Sequence, residues 1–519
     1  MFIQHYHFSG YSCNSLTSSQ TEKPNILVIV LDDAGYNDFG FMGSKDIQTP
    51  NIDNLAKNGV IFRDAHVSAT VSGPSRAGIL TGRYQQRSGY ECNLGDTLGL
   101  GLQESTIGDI FLENGYTTAC IGKWHQGDAP EYHPNKRGFE FFYGFISGSR
   151  SYFYQPEKDD KPGSTHNLQL NGKQLSFDGY MTDLLADAAS KYIKAQSKQQ
   201  KPFMMYLAFN AVHTPMETTL EDLDRFKEHP RQKLAAMTWA VDRGIGNVID
   251  ALKETGEYEN TLIFFLSDNG GAHNNQSSNY PLKGFKGNKF EGGHRVPFFM
   301  VYGNRIKGYY EGLTSSLDIF ATAIHAAGIS EKTLKKPLDG VNLMPYVNGK
   351  KKGAPHSELF WRKEDMAAMR MGDYKLIRVK GVGEKLYNLK DNLEETEDLQ
   401  SRLPNKSREM NKAIETWEKG LVNPILWGEG VWNEVTRQIH KDLMETAKRL
   451  ASVRENGKEN IKNNHTLKTM NMTTRILQAG FITLACIGTG CLAKAQQIQK
   501  NPTFCLFFRT NTGCSHWDS

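Results

Sequence analysis

Short unbroken apolar runs alternate with helix-period stripes along most of the chain. Ile26 to Leu31, Tyr116 to Ile121, Phe203 to Phe209 and Thr261 to Leu266 are continuous apolar runs, the pattern of strands buried on both faces. Between them, Leu184, Leu185, Ala188 and Tyr192 recur at helical spacing, as do Leu234, Met237, Val241, Ile245, Val248 and Leu252 before Gly256. Leu317, Phe320 and Ile324 form a third stripe, stopped at Gly328. Thr49 and Pro50 open a further helix that Gly59 closes, with Ile52 and Leu55 facing inward. Strands alternating with amphipathic helices predict an α/β fold built on a largely parallel sheet. Beyond residue 360 the pattern changes. Alternation near Ala367 to Arg378 and Lys385 to Leu389 predicts a small antiparallel sheet, packed by a helix over Met410 to Lys419.

The candidate chemistry stands where the strands end. Asp32 and Asp33 follow the first run, at the carboxyl end where open α/β sheets bind ligands. Adjacent carboxylates repel unless a cation lies between them, so the pair suggests a hard divalent metal; an exposed turn is the alternative. The run ending at Leu266 delivers Ser267, Asp268, Asn269, Gly270 and Gly271, oxygen ligands beside glycines that let the backbone turn closely around an ion. Lys123, Trp124 and His125 follow the second strand, and Asn210 and His213 the third. Pro74 suits the first turn of a helix, which sets Ser72 just ahead of its N-terminus, where free N–H groups favour an anion. Arg76 adds a cation suited to a tetrahedral oxyanion, and Gly82 marks the helix end. Taken alone, this local pattern is more often that of a Ser-capped surface helix than of an anion site.

Ser72, Pro74, Ser75 and Arg76, followed by Leu80, Thr81, Gly82 and Arg83, resemble the signature of the type I, formylglycine-dependent sulfatases of the alkaline-phosphatase superfamily, of the arylsulfatase and N-acetylgalactosamine-6-sulfatase kind. Further family-like segments follow in order: Thr49 to Ala56, Gly122 to His125, His133 with Arg137 to Phe139, Ala208 to Pro215, and Lys286 with Glu291 to Gly293. The likeness spans roughly residues 24 to 445. It implies a large mixed, mostly parallel sheet sandwiched by helices, with a smaller C-terminal α+β domain reached through Asp339 to Pro345. It also implies that Ser72 is oxidised to formylglycine (3-oxoalanine), making this a Ser-type member. One calcium ion would be held by Asp32, Asp33, Asp268, Asn269 and the Ser72 position. Asp268 would be the activating base, Arg76, Lys123 and Lys286 would stabilise the transferring group, His213 with Lys286 would protonate the leaving alcohol, and His125 would take a proton from the second hydroxyl. The implied reaction is hydrolysis of a sulfate monoester on a sulfated carbohydrate. Oxidation of Ser implies an anaerobic radical-SAM maturating enzyme as partner and a bacterial, periplasmic or exported setting. A phosphomonoesterase or phosphodiesterase of the same superfamily is the second reading, and a non-catalytic glycan-binding protein with Ser72 unoxidised the third.

Lys283 and Lys289, near Lys286, are expected to be solvated; His294 is open to three roles: packed, solvent-facing or touching substrate. Trp361, Trp427 and Trp432 are expected to pack rather than to stack on sugar. Residues 94 to 101 form a Gly-rich loop placed to line a cleft, and residues 157 to 175 an exposed loop or hairpin.

Composition narrows the rest. A chain of 519 residues with 39% hydrophobic and 23% charged content is globular and long enough for two domains. A net charge of +4 gives no basis for a nucleic-acid partner. Of seven cysteines only Cys92 and Cys120 fall in the family-like region, and no Cys/His metal spacing occurs. Residues 1–23 read as a disordered leader without a signal peptide, although Cys13 suits the start of a lipoprotein. Residues 24–335 form the catalytic domain, 336–445 the C-terminal subdomain and 446–469 a polar linker. Residues 470–519 resemble a misplaced signal peptide (Arg475, an apolar run to Ile487, then Ala493 and Ala495), read as frameshift or read-through outside the fold.

Overall fold

The computed structural model describes residues 23–455 apart from 95–97, 162, 200 and 426–430. The leader, the signal-like tail and Trp427 therefore lie outside the described residues. Ten strands form one sheet: β1 (Asn25–Leu31), β2 (Val60–Phe62), β3 (Thr117–Lys123), β4 (Phe141–Phe145), β5 (Leu168–Leu170), β6 (Lys173–Leu175), β7 (Phe203–Ala208), β8 (Thr261–Ser267), β9 (Phe298–Tyr302) and β10 (Gly308–Tyr310). Their spatial order is β10-β2-β9-β8-β1-β7-β3-β4-β5-β6. The centre, β8-β1-β7-β3-β4, is wholly parallel, and only β9 and β5 run against the rest. This is the mixed, mostly parallel sheet expected.

Every residue of β1, β7 and β8 is buried, as unbroken apolar runs require. One face packs on the helices Met181–Gln196 and Gln232–Glu254, and the other on the helices Ser72–Thr81 and Asp318–Ala326. Met181, Leu185, Ala189 and Ile193 carry the buried face of the first helix. Leu184 and Ala188 stay partly exposed, so the expected stripe is rotated by about one residue. The 157–175 stretch is a short helix followed by the β5–β6 hairpin, which extends the sheet edge.

Downstream, β11 (Glu358–Lys363), β12 (Met366–Met371), β13 (Tyr374–Val379) and β14 (Gly383–Asn388) make a separate antiparallel sheet covered by the helix Pro404–Glu418. A last helix, Val431–Glu455, runs past residue 446, where a polar linker is expected.

A buried polar seam joins the two sheets. Lys375 of β13 lies 3.0 Å from Glu291, 2.8 Å from Glu395 and 3.1 Å from His294 Nε2. His294 Nδ1 meets His66 Nδ1 at 2.9 Å, and His66 Nε2 meets Asp64 at 2.8 Å. The Lys375 ammonium and, at 3.3 Å, the Lys289 carbonyl both meet His294 Nε2, while Asp64 accepts the Nε2–H of His66. Burial holds both histidines below the usual imidazole range.

Candidate active site

Strand pairing assembles the acidic cluster. β1 and β8 are adjacent and parallel with Leu31 opposite Ser267, so the residues just beyond each strand, Asp32–Asp33 and Asp268–Asn269, emerge side by side. Asp33 adopts left-handed backbone at φ 63°, a conformation uncommon outside glycine, and its N–H lies 3.3 Å from Asp268 Oδ1. Facing them is the helix Ser72–Thr81, buried along its whole length. Ser72 is its first residue rather than the one before it; Val71 is the extended cap, and Gly82 closes the helix at φ 63°. The Gly73 peptide is clamped on both sides, its N–H donating to Asn93 (2.9 Å) and its carbonyl accepting from Gln126 (3.0 Å). Ser72 Oγ thereby lies 3.1 Å from Asp32 Oδ1 and 3.4 Å from Asn269 Oδ1.

Three cations face three carboxylates. Lys123 reaches Asp32 at 2.5 Å, Lys286 reaches Asp33 at 2.8 Å, and Arg76 Nε donates to Asp268 at 2.8 Å. Burial alone raises the carboxyls of Asp32 and Asp33, but Lys123 and His213 at Asp32, and Lys286 and His213 at Asp33, outweigh it and hold both below the ordinary range. Burial pulls Lys123 down against the attraction of Asp32, whereas Asp33 and Asp32 keep Lys286 above its usual value despite burial.

Two histidines complete the cluster. His213 Nδ1 sits 2.6 Å from the Thr214 carbonyl, which fixes the proton on that nitrogen and leaves Nε2, 3.6 Å from Asp33, as the exchanging position. His125 is held at φ 56° with its carbonyl bound by Tyr90 and Gln126. Its Nδ1 is buried without a partner among the described residues. Gly148 packs on the other ring edge, where a Cβ would fall 2.4 Å from Nε2. Burial, then the charges of Lys123, Arg76 and Lys286, pull His125 well below the usual imidazole range.

The oxygen donors around Ser72 are the carboxylates of Asp32, Asp33 and Asp268, the Asn269 amide oxygen and Ser72 Oγ itself, and a ring nitrogen of His213 lies within 4.8 Å of the Asp32 and Asp33 oxygens. That set suits calcium, and three carboxylates in so small a space fit a divalent cation. A second grouping, His66, Glu291 and His294, has ligand atoms within 4.8 Å of one another. There Lys375, with Arg370 and Arg295 at 3.4 Å from Glu291, already supplies the positive charge.

A sulfatase family model matches residues 24–329, more than half of the chain. The chain belongs to the sulfatase family. It is a sulfuric ester hydrolase. Over 395 residues this sulfatase is 32% identical to the uncharacterised sulfatase YdeN of Escherichia coli K12, covering 65% of this chain and 68% of that one. It is 29% identical to rat arylsulfatase G over 464 residues, with 77% and 86% covered. Among solved structures, Ps i-CgsB in complex with k-i-k-neocarrahexaose is 36% identical with a TM-score of 0.74, covering 81% of this chain and 99% of that one.

All the site residues expected from sequence converge on this one cluster of the sulfatase. Its surroundings depart from expectation. Lys289 is 2% exposed and therefore not solvated, while Lys283 is half-buried, donating to the Glu395 carbonyl and lying over the Phe290 ring. His294 is fully buried, stacked on Trp361 at 3.9 Å between ring centres, and touches no part of the acidic cluster. Trp361 packs as expected; the side chain of Trp432 lies outside the described residues. Sequence reasoning passed over Asn93 and Gln126, which clamp Gly73, and Gly148, which seats His125. Polar side chains without a periodic pattern gave no signal for them.

Proposed function

We propose that the sulfatase hydrolyses sulfate monoesters of a sulfated carbohydrate, using formylglycine made from Ser72. The observation that carries this reading is the Ser72 hydroxyl at a buried helix N-terminus, within hydrogen-bond reach of Asp32 and close to Asn269. The carbohydrate class is supported by the complex of Ps i-CgsB with k-i-k-neocarrahexaose. Oxidation of Ser72 supplies a hydrated aldehyde as nucleophile, a change that calls for an anaerobic radical-SAM maturating enzyme and suits an exported or periplasmic bacterial protein. Asp32, Asp33, Asp268, Asn269 and position 72 would hold a calcium ion, which would supply Lewis-acid positive charge to the reaction.

The remaining roles belong to side chains. Lys123 and Lys286 lie beside the reacting centre and stabilise the charge that develops on the sulfuryl oxygens. Arg76 Nε donates to Asp268 and fixes the orientation of the carboxylate that receives the nucleophile's proton. His213 passes a proton from Nε2 to the leaving oxygen, with Lys286 sustaining its orientation beside Asp33. His125, neutral and with a free ring nitrogen, takes the proton whose loss expels sulfate and restores the aldehyde.

Peptide mass spectrometry across Ser72, after expression with and without the maturase, tests this reading. Loss of two hydrogens at Ser72 together with sulfate release is the expected result. Turnover of phosphate esters by the unmodified chain would establish the phosphoesterase reading instead. Binding of a sulfated glycan without turnover beside a competent maturase would reduce the chain to a binding protein.

A further inference from the structure

We infer that Asn210 is a further substrate-contacting residue of this site, its amide Nδ2 donating to a sulfuryl oxygen. The inference rests on the sulfatase reading above and extends it to a residue without an assigned role.

Asn210 lies two residues past β7, yet the chain keeps its ladder there. Phe209 N–H donates to the Val30 carbonyl and Asp32 N–H to the Ala211 carbonyl, both at 2.9 Å. Side chains on β7 alternate between the two cores. Met205, Leu207 and Phe209 pack with the helices Met181–Gln196 and Gln232–Glu254. Met204, Tyr206 and Ala208 pack on the other face, with Ile79 and Leu80 of the Ser72 helix. Parity therefore puts Asn210 on the Ser72 side of the sheet. Laterally, β7 sits between β1, which ends at Leu31 just before Asp32, and β3, which ends in Lys123. The position is thus flanked by two groups of the cluster and faces a third.

The main chain there is fixed, because the Asn210 carbonyl accepts from Tyr152 Oη at 2.7 Å and from His213 N–H at 2.9 Å. Its side chain is different. Asn210 is 2% exposed, and both Nδ2 and Oδ1 lack a hydrogen-bond partner among the described residues. A buried amide with neither half satisfied is costly, and in native structures such groups concentrate where a ligand completes them. A sulfate ester offers three terminal oxygens, and two lysines beside it leave room for a neutral donor that adds a hydrogen bond without altering the balance of charge. The anion also sets which way the amide turns, since Oδ1 would repel a sulfuryl oxygen.

The test uses the mature full-length chain and an aryl sulfate substrate, with inorganic sulfate as competitive product inhibitor. Asn210→Ala is expected to lower kcat/KM by about 10- to 100-fold and to weaken the sulfate inhibition constant about 10-fold. Its Tm should stay near that of the parent. Asn210→Ser, which keeps a donor, should recover part of both losses. Asn210→Asp keeps the shape but turns a carboxylate on the anion, so its sulfate inhibition should be the weakest of the set. A residue that only supported the fold would lower Tm and leave the sulfate constant unchanged. Sulfate inhibition within threefold of the parent in Asn210→Ala, or in Asn210→Asp should the alanine variant not fold, overturns the inference. A mature parent chain that releases no sulfate would instead remove the sulfatase reading, and the inference with it.

Discussion

Replacing Lys375 by Met removes the one ammonium that two buried carboxylates share. Its Nζ lies 3.0 Å from Glu291 and 2.8 Å from Glu395, with all three side chains fully buried or nearly so. Glu291 retains Arg370 and Arg295, each at 3.4 Å, while Glu395 retains the backbone N–H of Glu291 at 2.8 Å and the more distant charge of Lys283. Breaking a buried pair from one side costs about 3–5 kcal/mol. With roughly 420 described residues unfolding together at ~2 cal/mol/K each, the unfolding entropy is ~0.9 kcal/mol/K, so Tm should fall by ~3–6 °C. The loss should also depend on pH. Burial, partly opposed by Lys375, already pushes Glu395 up to about 7 from 4.5. A carboxyl raised in the folded state binds more protons there than in the unfolded chain, so stability falls as pH climbs from 4.5 to the folded value. In the parent that fall ends near pH 7; without the ammonium it continues to higher pH. Thermal melts at pH 5.5 and 8.5 should show a larger deficit at pH 8.5, by about 1.4 kcal/mol for every pH unit over which the fall is prolonged. Equal deficits at the two pH values, or none, would refute the account of the seam.

Lys289 offers the opposite case. Burial, then the Lys363 charge, bring it down to about 7 from 10.5, so its charging penalty is full below pH 7 and fades as pH rises to 10.5. Lys289→Met should raise stability by roughly 1–3 kcal/mol at pH 6, with the gain gone near pH 10, as read by denaturant titration. Gly148→Ala would set a Cβ 2.4 Å from His125 Nε2; turnover should drop at least 10-fold with Tm little changed, and parental kinetics would show that His125 needs no fixed seat. Calcium at 100 times its dissociation constant should stabilise the protein by about 2.7 kcal/mol over the chelated form. Asp33→Asn should blunt that response, and identical melts with calcium and chelator would dismiss the ion.

The main features of the fold were legible because its central strands are apolar on both faces and each ends abruptly in polar residues. The site residues were legible for the same reason, since Asp32, Lys123, His213 and Asp268 each stand at or just beyond a strand's carboxyl end. What stayed hidden depends on distant pairings. Lys375 meets Glu291 across 84 positions and Arg370 meets Asp64 across 306, and no local pattern announces either. Lys283 and Lys289 read as solvated because isolated lysines usually are; Lys289 is buried with its N–H on His440, 151 positions on, and Lys283 is half-buried against the Glu395 carbonyl, 112 positions on. The helix Met181–Gln196 was placed correctly but turned by a residue, because leucine and alanine at 184, 185, 188 and 189 fit two adjacent faces equally well.

The burial of Ser72 sets a deadline. With 1% of its surface exposed and its main chain wound into the first turn of a buried helix, Ser72 cannot be drawn as an extended segment into another enzyme's site once the protein has folded. Strand β8, whose end closes the cluster over Ser72, is made almost two hundred residues after it. A newly made chain therefore carries Ser72 in the open until that strand docks, and any covalent change there must win a race against closure. Conditions that speed folding would lower the fraction of modified molecules, and a chain that folds early would remain locked with an ordinary serine.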